Sequence, residues 1–288
     1  MKKLIRKHLL DIIIILMFLV GLSVLLYPSV SSYINAKHAS KAITLYNSAI
    51  DNASDEAIAG MMRVAEDYNK RLAGDRSAFF LPDIINGYET ALDITGTGIM
   101  GYIEIGKIGV RLPIYHGVDP AVLQVGAGHL EGTSLPVGGS STHCVLSGHR
   151  GLPSAKLFTE LDKMETGDVF SVTVLRRTML YQVDQIKVVL PTESQDLQIQ
   201  SGKDYCTLLT CTPYGINSHR LLVRGVRIRE TAEEPRLNVP NEAFRIDPLI
   251  VMPVVAAPMF TVWMMIVLTQ RRKWGQTRRK KKEEKKKA

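Results

Sequence analysis

The chain has 288 residues, 45% of them hydrophobic and 22% charged, with a formal net charge of +8. That length suits one ordinary domain plus appendages. The charge sits at the ends: residues 271–288 hold eleven Lys/Arg against two Glu, residues 1–11 are net +3, and residues 12–270 are therefore net −4. A basic balance confined to the termini excludes nucleic-acid binding as its explanation and reads as two cytoplasmic ends flanking apolar spans.

In chain order, residues 1–11 form a basic cytoplasmic N-terminus. Residues 12–27 are an uncharged apolar run that reads as a transmembrane anchor. A cleaved signal segment is the alternative, because Ser29-Val30-Ser31 loosely offers a small-x-small cleavage site. Residues 28–98 read as a helical extension followed by a loop. Ile43, Tyr46 and Ile50, then Ile58, Met61, Met62 and Ala65, recur at helical spacing. They predict two helices broken near Asp51-Asn52, the second capped by Ser54 with acids in its first turn. Gly74, Pro82, Gly87, Gly96 and Gly98 then predict a long surface loop.

From residue 99 to 228 the pattern is β. Strands are predicted over Met100–Ile105, Val110–Tyr115, Cys144–Ser147, Val169–Leu175, Tyr181–Leu190, Tyr205–Thr210 and Leu221–Ile228. Pro113 favours an edge position for the second of these. Short helices are predicted near Ala121–Val125 and Ala155–Leu161. Many short strands with few helices imply a mostly β, closed or nearly closed barrel. Residues 229–247 read as a polar linker and residues 248–270 as a second transmembrane helix. Residues 271–288 form a basic cytoplasmic tail. The domain between the spans then lies outside the cell membrane.

Three cysteines, Cys144, Cys206 and Cys211, leave at least one thiol free in such a domain. Cys211 ends an apolar strand and is followed by Thr212-Pro213-Tyr214-Gly215-Ile216-Asn217-Ser218, a run of turn formers. A chain that returns antiparallel from His219 sets Arg220 opposite Cys211. His149 follows the apolar run Cys144–Ser147 and Gly148, at a strand terminus. A thiolate nucleophile, an imidazole acid/base and a guanidinium for an oxyanion or substrate carbonyls are the parts of an acyl-transfer site. Taken singly, each has a plain alternative: a small core residue, a loop histidine, a solvated arginine. Cys144 and Cys206 are expected as buried, reduced thiols, brought close if their strands are neighbours. His116, His129 and His219 are scattered without metal-ligand spacing.

The stretches Leu112–Gly117, Gly128–Pro136, Ser147-Gly148-His149-Arg150-Gly151, Thr207–Gly215 and His219–Gly225 resemble the sortases, and among them the class C, pilin-polymerising branch. The resemblance spans roughly residues 99–228. It implies an eight-stranded β-barrel with N-terminal helices, with Cys211 as nucleophile, His149 as general acid/base and Arg220 as substrate-positioning and oxyanion-stabilising residue. It also implies cleavage of an LPXTG-like sorting signal between Thr and Gly, and transfer of the acyl group to a pilin lysine amine. The implied partners are pilin or surface proteins bearing such signals, a lysine amine or cell-wall precursor as acceptor, and membrane lipid. No cofactor or metal is implied, because the thioester retains the energy of the cleaved bond. Class C enzymes often carry a lid with an Asp-Pro-aromatic triplet. Here Phe79-Phe80-Leu81-Pro82-Asp83 lacks that order, yet it is placed to act as one, with Phe79 or Phe80 shielding Cys211 and Asp83 pairing Arg220. A sortase that anchors proteins to the wall, or that mainly hydrolyses the signal, is the nearest alternative. A non-catalytic assembly scaffold is the alternative outside enzymes.

Overall fold

The computed structural model describes residues 2–228 together with 257, 258, 260 and 261. The linker expected over 229–247, the basic tail and nearly all of the second expected span lie outside the described residues. Chain contacts divide the molecule into two units, residues 1–30 with 246–288, and residues 31–245. In the first, the rings of Phe18 and Phe260 stack with centroids 4.4 Å apart. Helix α1 runs Lys2–Asp51, and its portion from Ile13 is the one candidate membrane span among the described residues.

The expected break falls in place: α1 ends at Asp51 and α2 spans Asp55–Gly74. Ser54 caps α2 by accepting from the Ala57 N–H, and Asp55 and Glu56 occupy its positive first turn. One face, Ile58, Ala65, Tyr68 and Leu72, packs with Tyr46 and Ile50 of α1 into the barrel's apolar cluster. Buried polar groups make the joint specific. The Tyr46 hydroxyl donates to Met100 O at 2.8 Å and accepts from Leu175 N at 2.7 Å. The Asn69 amide pairs both ways with the Leu135 backbone.

Eight strands close into a barrel in the order β1-β2-β3-β4-β7-β8-β6-β5. They are β1 Ile99–Ile105, β2 Val110–His116, β3 Ala127–His129, β4 Thr142–Ser147, β5 Val169–Val174, β6 Arg177–Val189, β7 Asp204–Thr212 and β8 His219–Ile228. Pairings β2–β3 and β4–β7 are parallel and the rest antiparallel. Alternation sends Ile103, Ile105, Ile114, Leu146, Phe170, Tyr181, Leu208 and Val223 into the interior, each no more than 1% exposed.

The structure corrects three details. β2 is not an edge strand, because the barrel closes. Pairing with β3 begins only at Ile114, so Pro113 lies where that neighbour's ladder stops. The helix near 121–125 shrinks to one turn, α3 (Pro120–Leu123), and the one near 155–161 to a 3-10 turn at Leu161–Lys163. Strand β3, three residues long, was not foreseen from the sequence.

Candidate functional site

The β7–β8 hairpin builds half of the site. Its ladder runs from Tyr205↔Val226 through Cys211↔Arg220 to Thr212↔His219. The turn beyond is closed by Pro213 O, which accepts from Ile216 N and Asn217 N. Asn217 takes a left-handed φ of 59°, which asparagine tolerates. Alternation puts Cys206 and Leu208 inside the barrel and Cys211 outside, half-buried. Arg220 Nη1 donates to Asn217 O at 3.1 Å and to His219 O at 3.0 Å, which ties the guanidinium to the turn.

The other half comes from β4, parallel to β7. Their pairing ends at Ser147↔Leu209, and the Gly148 N–H continues it by donating to Leu209 O at 3.0 Å. The Thr210 hydroxyl donates to Gly148 O at 2.7 Å. Two residues past Ser147 is His149, and two past Leu209 is Cys211. The parallel register therefore brings His149 and Cys211 to the same end of the two strands. Behind it, His149 O accepts from Phe158 N at 3.1 Å. Gly148 lies so close to the Phe158 ring that a Cβ there would sit 2.6 Å from it. Burial lowers the His149 pKa from its ordinary value. That shift favours the neutral form of the ring.

The outer face of these strands is apolar. Val145, Leu222, Val189 and Leu197 form a small buried cluster, against which Phe79, Leu130 and Leu209 pack. Leu209 and Leu222 lie two residues from Cys211 and Arg220 on the same strand faces. An apolar strip therefore leads to the thiol, and it adjoins a cavity of about 310 Å³ lined by Phe79, Thr133, Leu197 and Ile199 among others.

Of the lid residues, Phe79 is seated on this strip. Phe80 packs edge-on against Phe79 but is 64% exposed. Asp83 and Arg220 form no ion pair among the described residues. Asp83 instead lies near Glu131, whose pKa is raised by burial and by the charges of Glu89 and Asp83.

Cys144 and Cys206 are register partners on β4 and β7, both free and buried. Burial pushes the Cys206 thiol well above its ordinary value. Two of the histidines read as scattered, His129 and His116, serve the fold. His129 is fully buried, its Nε2 2.8 Å from Ser134 O and its Nδ1 3.0 Å from the Tyr88 hydroxyl. His116 contacts Gly98 O and Ala91 O. Among the described residues no group of His, Cys, Asp and Glu is arranged to hold a metal ion. Sequence reasoning missed Arg150 and Thr212. The arginine reaches Thr212 Oγ1 at 3.1 Å, a contact between stretches 62 positions apart that no local pattern announces.

A family model described as the sortase domain matches residues 103–228. Sortase A of Streptococcus agalactiae is 29% identical over 117 residues, 40% of this chain and 47% of that protein; the chain thus spans about half the length of that curated relative. Among solved structures, sortase C1 of S. agalactiae is 46% identical with a TM-score of 0.60, covering 66% of this chain and all of that one. Sortase C of Clostridium perfringens, solved with the C-terminal cell wall sorting motif, is 44% identical with a TM-score of 0.58, covering 67% of this chain and all of that one. Sortase C of Streptococcus pneumoniae is 43% identical with a TM-score of 0.59, again covering 67% of this chain and all of that one. With its closed barrel, its Cys/Arg hairpin and these relatives, the chain belongs to the sortase family of cysteine transpeptidases, in the class C branch.

Proposed function

We propose that this chain is a membrane-anchored pilin polymerase in which Cys211, His149 and Arg220 carry the reaction. The observation that supports it most is the register that sets Cys211 against Arg220, with His149 just past the end of the parallel neighbour β4. His149, neutral at the start, takes the Cys211 proton as sulfur attacks the Thr carbonyl of an LPXTG-like signal. The Arg220 guanidinium faces the developing oxyanion. The Thr–Gly bond breaks, the glycine amine leaves with the proton from His149, and a thioester remains. A lysine amine of the next pilin then attacks the thioester, gives its proton to His149 and expels the thiolate, leaving an isopeptide bond.

The apolar strip suits the Leu and Pro of such a signal, the Leu alone able to contribute about 1.5–3 kcal/mol on burial. Phe79 now holds that place, so it acts as a lid that the signal displaces. Excluding water there favours aminolysis over hydrolysis. Two relatives support the polymerase reading: the pneumococcal sortase C structure bears on pilin substrate specificity, and a further S. agalactiae sortase C1, 41% identical, belongs to a pilus island. The candidate span in α1 and the second apolar run hold the enzyme at the membrane face where a membrane-borne substrate would also lie, with both termini cytoplasmic. A wall-anchoring or mainly hydrolytic sortase keeps the same site and differs in acceptor.

The test is to incubate the purified chain with a pilin bearing an LPXTG-like signal and follow products by denaturing gels and mass spectrometry. SDS-resistant ladders joined through lysine support polymerisation. Hydrolysed signal alone, or transfer only to a wall-precursor amine, supports the rival. Product formation by Cys211→Ala rejects the catalytic assignment, and a cellular role unimpaired in that variant favours the scaffold.

A further inference from the structure

The residues on either side of His149 are both tied to the residues on either side of Cys211. Ahead of the histidine, Gly148 O accepts from Thr210 Oγ1 at 2.7 Å. Behind it, Arg150 Nη1 donates to Thr212 Oγ1 at 3.1 Å. The second tie has its own support, since Arg150 Nη2 pairs with Asp162 Oδ2. A further contact runs alongside: Gly151, at φ 77°, lies against the Tyr214 ring, two residues past Thr212, where a Cβ would come within 3.0 Å.

We propose that Arg150 is a positioning residue for the transpeptidation, holding the loop that carries His149 to the strand end that carries Cys211 by way of Thr212. This rests on the assignment of Cys211 and His149 as the reacting pair.

Three observations favour positioning over plain stabilisation. The Arg150 side chain is only 10% exposed, and its Nε is buried with no hydrogen-bond partner among the described residues. Burying a cation with one N–H unpaired is a poor way to strengthen a fold. Next, β4 ends at Ser147, so backbone pairing has nearly run out where the histidine sits. Beyond that point side chains must set the distance between imidazole and thiol. Finally, the arginine spans from Thr212 to Asp162 in the 3-10 turn Leu161–Lys163, so it sits between two surfaces as a strut. A planar fork with donors aimed in two directions fills that role; a lysine serves one partner at a time.

The test uses the purified chain with a sorting-signal peptide and an amine acceptor, and compares Arg150→Ala, Arg150→Lys, Thr212→Val, Thr212→Ser and the Arg150→Ala/Thr212→Val pair. Misplacing a proton-transfer group by about 1 Å costs up to about 100-fold in rate, so Arg150→Ala should lower kcat by about 10- to 100-fold. KM should stay within about twofold, because the arginine does not hold the peptide. Thr212→Val should reproduce part of the loss and Thr212→Ser little of it. The paired variant should be no slower than Arg150→Ala, since both changes cut one tie. Thr212→Val is conservative enough to keep the fold, so it gives a reading even where Arg150→Ala does not fold. A kcat within twofold of the parent in Arg150→Ala or Thr212→Val, a loss confined to KM, or multiplying effects in the pair would overturn the proposal. Cys211→Ala and His149→Ala run alongside: turnover in either sinks the underlying site, whereas two dead controls with a fully active Arg150→Ala sink this inference alone.

Discussion

Cys211 and Arg220 are cross-strand partners one rung before the β7–β8 ladder ends, and Arg220 is also paired on its other side with Val189 of β6. The arginine is thus held by backbone on both flanks and by two carbonyls at its tip. Substitution by lysine keeps the charge and loses the fork. Arg220→Lys should reduce kcat/KM by about 10- to 100-fold, the scale of losing one oxyanion donor. Steady-state kinetics with a sorting-signal peptide checks this. Near-native turnover would remove the guanidinium from the mechanism.

The three thiols should separate by reactivity. Cys211 is half-buried on the outer face, while Cys144 and Cys206 are 3% and 1% exposed inside the barrel. Brief treatment of the native chain with iodoacetamide, followed by peptide mass spectrometry, should label Cys211 at least about tenfold faster than the others. Equal labelling of all three would mean that the sulfur at the rim has no privileged access.

Phe79 is the better probe of the lid than a deletion. Removing residues 75–90 would also take out Tyr88, which is buried, contacts His129 and accepts from Gly117 N. Phe79→Ala keeps that anchor and empties the apolar strip. Alkylation of Cys211 and the hydrolysed share of product should both rise, by about two- to tenfold. Unchanged values would make Phe79 a wall of the groove.

Stability should fall on mild acidification because of His143. It is fully buried, with Nδ1 3.0 Å from Gln198 O and Nε2 2.7 Å from Thr207 Oγ1. A carbonyl only accepts, so Nδ1 carries the hydrogen and the neutral ring receives the threonine proton at Nε2. Burial foremost, with Arg224 adding to it against the Gln198 hydrogen bond, Asp184 and Asp196, lowers this pKa to about 4. An unfolded chain takes up the proton near pH 6.5 and the folded one only near pH 4. The stabilisation is therefore complete above about pH 6.5 and is lost as pH falls from there toward 4, a change of roughly 3 kcal/mol. Urea unfolding at pH 7 and pH 4.5 measures it, and His143→Gln should flatten the difference. An equal pH dependence in that variant would assign the loss to other groups.

Much of this site was legible before any coordinates. Turn formers between Cys211 and His219 dictate a hairpin, and a hairpin dictates its register, so the Cys/Arg pairing follows from local chemistry. The capped break before α2 is equally local. The lateral partnerships were not. Parallel pairing of β4 with β7 joins segments some 60 positions apart. No alternation pattern names a strand's neighbour, so sequence offers His149 as a strand-end candidate and only family likeness joins it to Cys211. Three-residue β3 is too short to show a period, and Pro113 misled because its neighbour's ladder simply stops beside it. His129 looks the same in sequence as a loop histidine; only its enclosure by Tyr88 and Ser134 reveals a structural hub.

Because β4 and β7 run side by side in the same direction, they act as two rulers read from a common zero. Loops joining them can change length without altering how far each ruler extends, provided that the turn holding Asp162 and the β6 rungs beside β8 keep their places. A single inserted or deleted residue within either strand is another matter: it turns the outermost side chain inward and leaves sulfur or imidazole on the wrong side of the wall. Evolutionary tolerance in this chain should accordingly be generous in the exposed loops between its two halves and nearly absent within the few residues that run up to Ser147 and Cys211.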